Sequence, residues 1–175
     1  SFLNNNKTYI DYIGYDIISF CDKYKSECIG DSSKNNKLKE ISHRYLKIVN
    51  QSELAESEGL DEICGPGYRK ALEILLKDFY IRIEKKSEKT EQDKKQEIKN
   101  ITGKNITLLI KEKIEDERIK DLAEKCVWLG NDEAHFNRLH ENKSIYELKS
   151  LLYRIEDYII SEYVRNDMDN KKKNS

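Results

Sequence analysis

The chain has 175 residues, of which 37% are hydrophobic and 37% charged, and its 32 basic and 33 acidic residues leave a net charge of −1. This length suits one domain with a modest core. The even balance excludes a global basic field that would hold nucleic acid, although a local basic patch is compatible with it. One proline and seven glycines are too few for the turns of a sandwich or barrel. We therefore expect an all-α fold, a bundle of about five to six helices.

Three regions follow one another in the predicted organisation. Residues 1–37 form an N-terminal extension, in which the apolar spacing of Ile10, Ile13 and Ile17 predicts a helix. The Tyr and Ile content of this extension also suits a strand pair, and its last part, residues 29–37, has the composition of a loop. Residues 38–166 form a helical domain, and residues 167–175 form a disordered tail.

The helical domain opens with a helix whose apolar face carries Ile41, Tyr45, Ile48 and Val49. Ser42 is its candidate N-cap, and it ends near Gly59. Gly65-Pro66-Gly67 then interrupts the chain, and Pro66 is expected in the first turn of the next helix. That helix has a wide apolar stripe, made of Tyr68, Ala71, Leu72, Leu75, Leu76, Phe79 and Ile83.

The second half of the domain begins with a highly charged segment, residues 81–100, which is either a solvated helical extension or a mobile linker. A short helix follows at 106–114, and another starts near Asp116. The apolar period of 145–163 predicts a long last helix, for which Ser144 is the candidate N-cap.

The four cysteines form no Cys-x-x-Cys pair, so we expect no metal site and no cofactor. Without an apolar leader, they are expected to be unconnected thiols in the cytoplasm. No segment approaches the ~20 apolar residues of a transmembrane helix, so no membrane partner is expected.

The most informative stretch is the helix that ends near His135. On a helical wheel, one side collects mostly small residues, namely Ile119, Ala123, Val127, Gly130 and Ala134. Because a mid-helix glycine costs about 1 kcal/mol against alanine, Gly130 indicates close packing of another helix. The opposite side carries Trp128, Asn131, Asp132 and His135, which predicts a dimer contact or a pocket wall.

Two motifs in this order resemble those of the DUF4145 domain, a family of bacterial domains of unknown function grouped with the HEPN superfamily. The first motif includes Gly59-Leu60-Asp61-Glu62-Ile63 and Gly67-Tyr68-Arg69-Lys70-Ala71; the second is Trp128-Leu129-Gly130-Asn131-Asp132-Glu133-Ala134-His135-Phe136. The resemblance covers about residues 40–163. It implies a HEPN-like helical bundle that forms a homodimer and belongs to a bacterial defence or restriction system.

Many HEPN proteins are metal-independent ribonucleases, in which an Arg holds the phosphate and four to six residues separate it from a His that follows. The resemblance implies catalytic roles for Asn131 and His135, but positions 128–130 hold no Arg. Arg138 and Arg69 are the candidate substitute clamps. Asp132 and Glu133 would repel a phosphate and are candidate partners of Arg69, which would make the motif an interlock of two helices.

Three functions follow. The first is a non-catalytic HEPN-like module for dimerisation or for partner or nucleic-acid recognition in a defence or restriction system. The second is a ribonuclease with His135 as general acid and base. The third is a nucleotide or small-ligand site beside Trp128. The candidate binding residues are Arg69, Trp128, Asp132, Glu133 and Arg138.

Overall fold

A computed structural model describes residues 32–132 and 145–173 of the chain. Contacts divide the chain into two compact units, residues 1–35 and 36–175. In the described ranges the structure has seven helices and no strand: α1 (Ser32–Ile41), α2 (His43–Ser57), α3 (Asp61–Lys86), α4 (Glu91–Gly103), α5 (Ile106–Lys113), α6 (Glu117–Asp132) and α7 (Ile145–Lys173). The all-α prediction is confirmed, and the helix count exceeds the five to six expected. The N-terminal pattern at residues 8–28 lies outside the described residues.

Helix α1 begins earlier than the sequence predicted, because residues 32–37 are helical and not part of a loop. Leu38 and Ile41 are buried, and the gain from burying them outweighs the loop-forming tendency of the polar residues before them. Ser42 ends α1 and caps α2, as predicted. Its Oγ accepts from the Tyr45 amide at 3.0 Å and donates to Asp78 Oδ2 at 2.5 Å.

The connection from α2 to α3 is shorter than expected. Gly59 takes a φ of +71°, a left-handed conformation that glycine adopts without strain. Helix α3 then starts at Asp61, so the predicted interruption at Gly65-Pro66-Gly67 is wrong, and Pro66 lies inside the helix. The reason lies upstream, where the Leu60 carbonyl accepts from the Cys64 amide at 3.1 Å and so starts the helix before the proline. A Cβ on Gly67 would overlap with Ser52, so this glycine lets α2 approach closely.

Helix α3 is the centre of the core, because it packs against α2, α4, α6 and α7. Its predicted apolar stripe is buried from Tyr68 to Phe79, whereas Ile83 is half-buried. Helix α6 additionally packs against α5 and α7. The site residues on α3 and α6 therefore lie on helices held from several sides.

The charged segment 81–100 is helical except for residues 87–90, which connect two helices. Helix α3 continues to Lys86, and Thr90 then caps α4 by accepting from the Asp93 amide at 3.2 Å. Ile101 on α4 is buried, and Lys113 of α5 reaches Glu97 of α4 at 2.6 Å. A buried isoleucine and an interhelical ion pair hold this segment to the domain.

Helix α7 continues to Lys173, into the segment that we expected to be a disordered tail. Lys86 Nζ lies 3.0 Å from Asp167 Oδ1, which ties this part of α7 to the end of α3. The candidate cap Ser144 lies outside the described residues. Of the helices described, none has the length and apolar character that crossing a membrane requires.

Candidate functional site at the contact of helices α3 and α6

The last turns of α6 present two different faces. Ala123, Val127 and Gly130 are buried, as the helical wheel predicted, and Cys126 beside them is buried as well. Trp128 on the other side is 41% exposed. Leu129 is also buried, although the wheel assigned it to neither face, so the buried side of α6 is wider than its small residues alone indicate.

Gly130 is the point where α6 comes closest to α3. A Cβ built on Gly130 would lie 2.5 Å from Arg69 Cβ, 3.0 Å from Arg69 Cγ and 3.4 Å from Arg69 Cα. Real Cβ atoms do not approach backbone-proximal atoms so closely, so any side chain at 130 requires one helix to move. The glycine therefore lets the stem of Arg69 occupy the space above it.

Arg69 is held by polar groups on both helices. Its Nε donates to Asn131 Oδ1, and its Nη1 lies 3.7 Å from Glu73 Oε2 one turn along α3. Glu73 also pairs with Lys77 at 3.0 Å, and Lys77 Nζ donates to the Thr102 carbonyl of α4 at 3.0 Å. We call the group formed by Arg69, Glu73, Gly130 and Asn131 the α3–α6 contact.

Electrostatics keep the carboxylate of this contact ionised. Partial burial by itself raises the pKa of Glu73, but the hydrogen bond and the charge of Lys77, with Lys70 and Arg69 behind them, lower it below its ordinary value overall. A charged Glu73 beside Arg69 reduces the positive potential that an incoming phosphate would meet. The contact therefore resembles an interlock of two helices more than an open phosphate clamp.

Among the described residues, the structure brings two of the predicted site residues into contact, Arg69 and Asn131. On α6, Arg69 contacts the side-chain amide of Asn131. Its predicted pairing with Asp132 or Glu133 stays a prediction, because neither of these side chains is among those that the structure describes. Asp132 is the last residue of α6. Three predicted site residues lie outside the described residues: Glu133, His135 and Arg138.

A second group of polar side chains, between α2, α3 and α7, was not predicted from the sequence. Its members are three tyrosines, three glutamates and one lysine: Tyr45, Glu53, Glu56, Tyr68, Lys149, Tyr153 and Glu156. Each phenol donates to a carboxylate: Tyr45 to Glu156, Tyr68 to Glu56 and Tyr153 to Glu53. We call this group the tyrosine cluster.

Lys149 joins two of these pairs. Its Nζ lies 3.0 Å from Glu56 Oε2 and 3.5 Å from Glu53 Oε1, and it also sits 5.8 Å from the Tyr68 ring centroid. One ammonium group on α7 thus compensates two carboxylates on α2. The cluster ties the first turns of α7 to α2 and α3.

The phenols of the tyrosine cluster remain protonated. Burial, followed by the hydrogen bond and charge of the adjacent glutamate, raises the pKa of Tyr68 and of Tyr153 well above the ordinary value of a tyrosine. The pKa of Tyr45 is raised for the same reasons. Because the phenols donate and the carboxylates accept, the cluster holds helices together and transfers no proton near neutral pH.

One signal in the sequence could have revealed the cluster. Glu156 lies four residues after Leu152 and next to Ile155, on the apolar face of α7, and it is only 4% exposed. A glutamate on a buried face needs a donor from another element. The sequence shows that need, but it does not show that Tyr45 meets it.

No metal-ligating group of three or more His, Cys, Asp or Glu side chains occurs in the part of the chain that the structure describes. Cys64 and Cys126 are buried thiols, and burial raises the pKa of the Cys126 thiol to about 12. A thiol with such a pKa is a poor nucleophile at neutral pH. Cys21 and Cys28 lie outside the described residues.

Comparison of the chain with protein-family models, with curated proteins and with solved structures finds no match.

Proposed function

We propose that the chain is a non-catalytic, HEPN-like helical module of bacterial origin, related to the DUF4145 domain. In this proposal it dimerises, or recognises a partner or nucleic acid, in the cytoplasm as part of a defence or restriction system. The observation that supports it best is the engagement of Arg69, whose guanidinium contacts Asn131 and Glu73 and whose stem covers Gly130. The arginine that the described residues bring to the motif is therefore already used to join two helices.

Catalysis would need an arginine whose charge is available to the phosphate. Loss of one electrostatic anchor commonly lowers a rate by ~10²–10³, and Glu73 partly neutralises the only arginine that the described residues bring to Asn131. We therefore expect no cleavage when the protein is incubated with single-stranded or structured RNA. His135→Ala is the matched control, and cleavage by the natural protein that this substitution abolishes would overturn the proposal.

Self-association is tested separately by sedimentation equilibrium. Trp128 is a large side chain that is 41% exposed on the same helix as Asn131, and tryptophan is enriched where interfaces are most buried. We expect a dimer, and we expect Trp128→Ala to weaken it at least tenfold. Leu108→Ala on α5 is the control, because Leu108 is 53% exposed and lies on another helix. A monomer up to ~100 µM would contradict a role in dimerisation.

A ribonuclease remains the second candidate, and one observation favours it. Gly130 and Asn131 bring Arg69 to the turn of α6 that includes positions 128–130, where the HEPN signature would place its arginine. In this alternative, α3 supplies the clamp. Arg69→Gln would then abolish RNA cleavage without changing helix content, and Glu73→Gln would raise the rate. Cleavage that survives Arg69→Gln would exclude Arg69 as the clamp.

A further inference from the structure

The chain has a local excess of basic residues on α1 and the first part of α2. Between residues 36 and 52 the chain has four Lys or Arg residues and one acidic residue, Glu40, a net charge of +3 in a chain of net charge −1. The rest of the chain therefore carries −4. We propose that Lys37, Lys39, Arg44 and Lys47, here called the basic surface, bind the phosphate backbone of a nucleic acid.

The fold turns these cations away from the core. Leu38, Ile41, Tyr45 and Val49 are buried on the same two helices, so the residues between them point outward. Lys39, Arg44 and Lys47 are exposed, and Lys37 is half-buried. Arg44 and Lys47 are three residues apart on α2, which places them on one face of that helix.

The cations of the basic surface are not used within the domain. Within residues 32–132 and 145–173, none of the four makes an ion pair or a hydrogen bond through its side chain. Two acids on or beside these helices form hydrogen bonds with hydroxyl groups and not with the four cations: Glu40 accepts from the Tyr163 hydroxyl at 3.4 Å, and Asp78 accepts from Ser42. The positive charge is therefore available to an external anion.

Helix α4 is a charged helix in which the cations are mixed with acidic residues, in contrast to the basic surface. Its Lys94 pairs with Glu91 at 3.2 Å, and its Glu97 pairs with Lys113 of α5 at 2.6 Å. Charges of both signs alternate along α4 and cancel one another. The segregation on α1 and α2 is thus a specific feature and not a consequence of the high charge content of the chain.

The lack of exposed large hydrophobic side chains on α1 and α2 favours a nucleic acid over a membrane surface. A helix that binds in a bilayer interface inserts a large apolar face beside its cations. The large hydrophobic side chains that are exposed in the described ranges are Leu60, Ile63, Leu108, Trp128, Tyr146 and Met168. None of them lies on α1 or α2. Cations spread along two successive helices suit a linear polyanion, whose phosphates they neutralise one by one.

The test is fluorescence anisotropy of the full chain with labelled 20-nucleotide RNA and DNA strands of mixed sequence. Four phosphate contacts on a single strand give a slope of log affinity on log salt of about −3, or roughly a 50-fold loss between 50 and 200 mM salt. We expect the double variant Arg44→Gln/Lys47→Gln to halve that slope and to lower affinity at least ~10-fold at 50 mM salt. Comparison of the affinities for RNA and DNA shows whether the 2′-hydroxyl group contributes to binding.

The matched control is Lys95→Gln/Lys99→Gln on α4, which removes the same charge from exposed positions. It is expected to change affinity less than twofold, with helix content checked by circular dichroism for both variants. Equal losses in the two variants, no binding to either strand, or binding only to phosphatidylserine vesicles would each overturn the proposal. Sedimentation of the same variants measures dimerisation separately. A result that overturns nucleic-acid binding by the basic surface therefore does not decide whether the chain dimerises.

Discussion

The α3–α6 contact and the tyrosine cluster join helices in opposite ways. The first depends on a missing side chain, because Gly130 admits the stem of Arg69. The second depends on matched polar groups, because buried Tyr45 and Glu156, 111 residues apart, satisfy each other. Only the close packing at Gly130 could be expected from the sequence, because a small residue lets any neighbouring helix approach. A buried polar pair requires one particular partner residue, which the sequence does not identify.

The largest expected effect comes from breaking the tyrosine cluster. Tyr45→Phe removes the phenol and leaves the buried Glu156 without this donor. Because hydrogen bonds to charged groups contribute about 1.5–3 kcal/mol, we expect the free energy of unfolding to fall by about 2 kcal/mol in urea denaturation. Tyr146→Phe, at a position 77% exposed, should change it by less than ~0.5 kcal/mol. Similar values for the two variants would show that the cluster contributes little.

The next effect tests close approach at the α3–α6 contact. In Gly130→Ala the new Cβ would lie 2.5 Å from Arg69 Cβ. Overpacking costs about 1–3 kcal/mol, and alanine returns about 1 kcal/mol of helix propensity, so we expect a net loss of about 1 kcal/mol. Gly103→Ala is the control, because nothing lies within 4 Å of its added Cβ; it should be neutral or stabilising. Stabilisation by both substitutions would contradict the close contact.

A smaller effect is expected from the hydrogen bond between Arg69 and Asn131, measured apart from the packing of the Arg69 stem on Gly130. Arg69→Met keeps most of the apolar stem and removes the guanidinium, while Asn131→Ala removes the acceptor. A double-mutant cycle of these substitutions should give a coupling energy of about 0.5–1 kcal/mol, measured as free energies of unfolding. Additive effects would show that Arg69 and Asn131 touch without stabilising each other.

The smallest expected effect is a dependence of stability on pH that arises from Glu56 in the tyrosine cluster. Partial burial by itself raises the pKa of Glu56, but the hydrogen bonds from Tyr68 and Lys149 and the charge of Lys149 lower it overall. The charged form therefore stabilises the folded state above the ordinary glutamate pKa of about 4.5, and this stability is lost as pH falls through the lowered value.

Melting temperatures at pH 7 and pH 3.5 measure this contribution. We expect Glu56→Gln to be less stable than the natural protein at the higher pH, and the difference to shrink at the lower pH. Glu88→Gln, at an exposed position after α3, is the control. A difference that is the same at both pH values would mean that the carboxylate of Glu56 acts only through its shape.

Much of the helical layout could be predicted from local patterns. The apolar stripe of α3, the short helix α5 and the cap at Ser42 follow from residues within about one turn of each other. The predictions failed where long-range packing outweighed a local signal. Pro66 indicated a helix start, yet α3 already runs from Asp61, and the polar residues before Lys37 indicated a loop, yet α1 begins at Ser32.

The sequence by itself determined the all-α class, the two faces of α6 and the need for close packing at Gly130, because these depend on the helical period and on side-chain size alone. Only the tertiary structure decided that Arg69 meets Asn131, that Tyr45 meets Glu156, and that the cations of α1 and α2 remain available at the surface. Such pairings depend on how distant helices are rotated and shifted against one another, and the packing of the whole core sets that rotation.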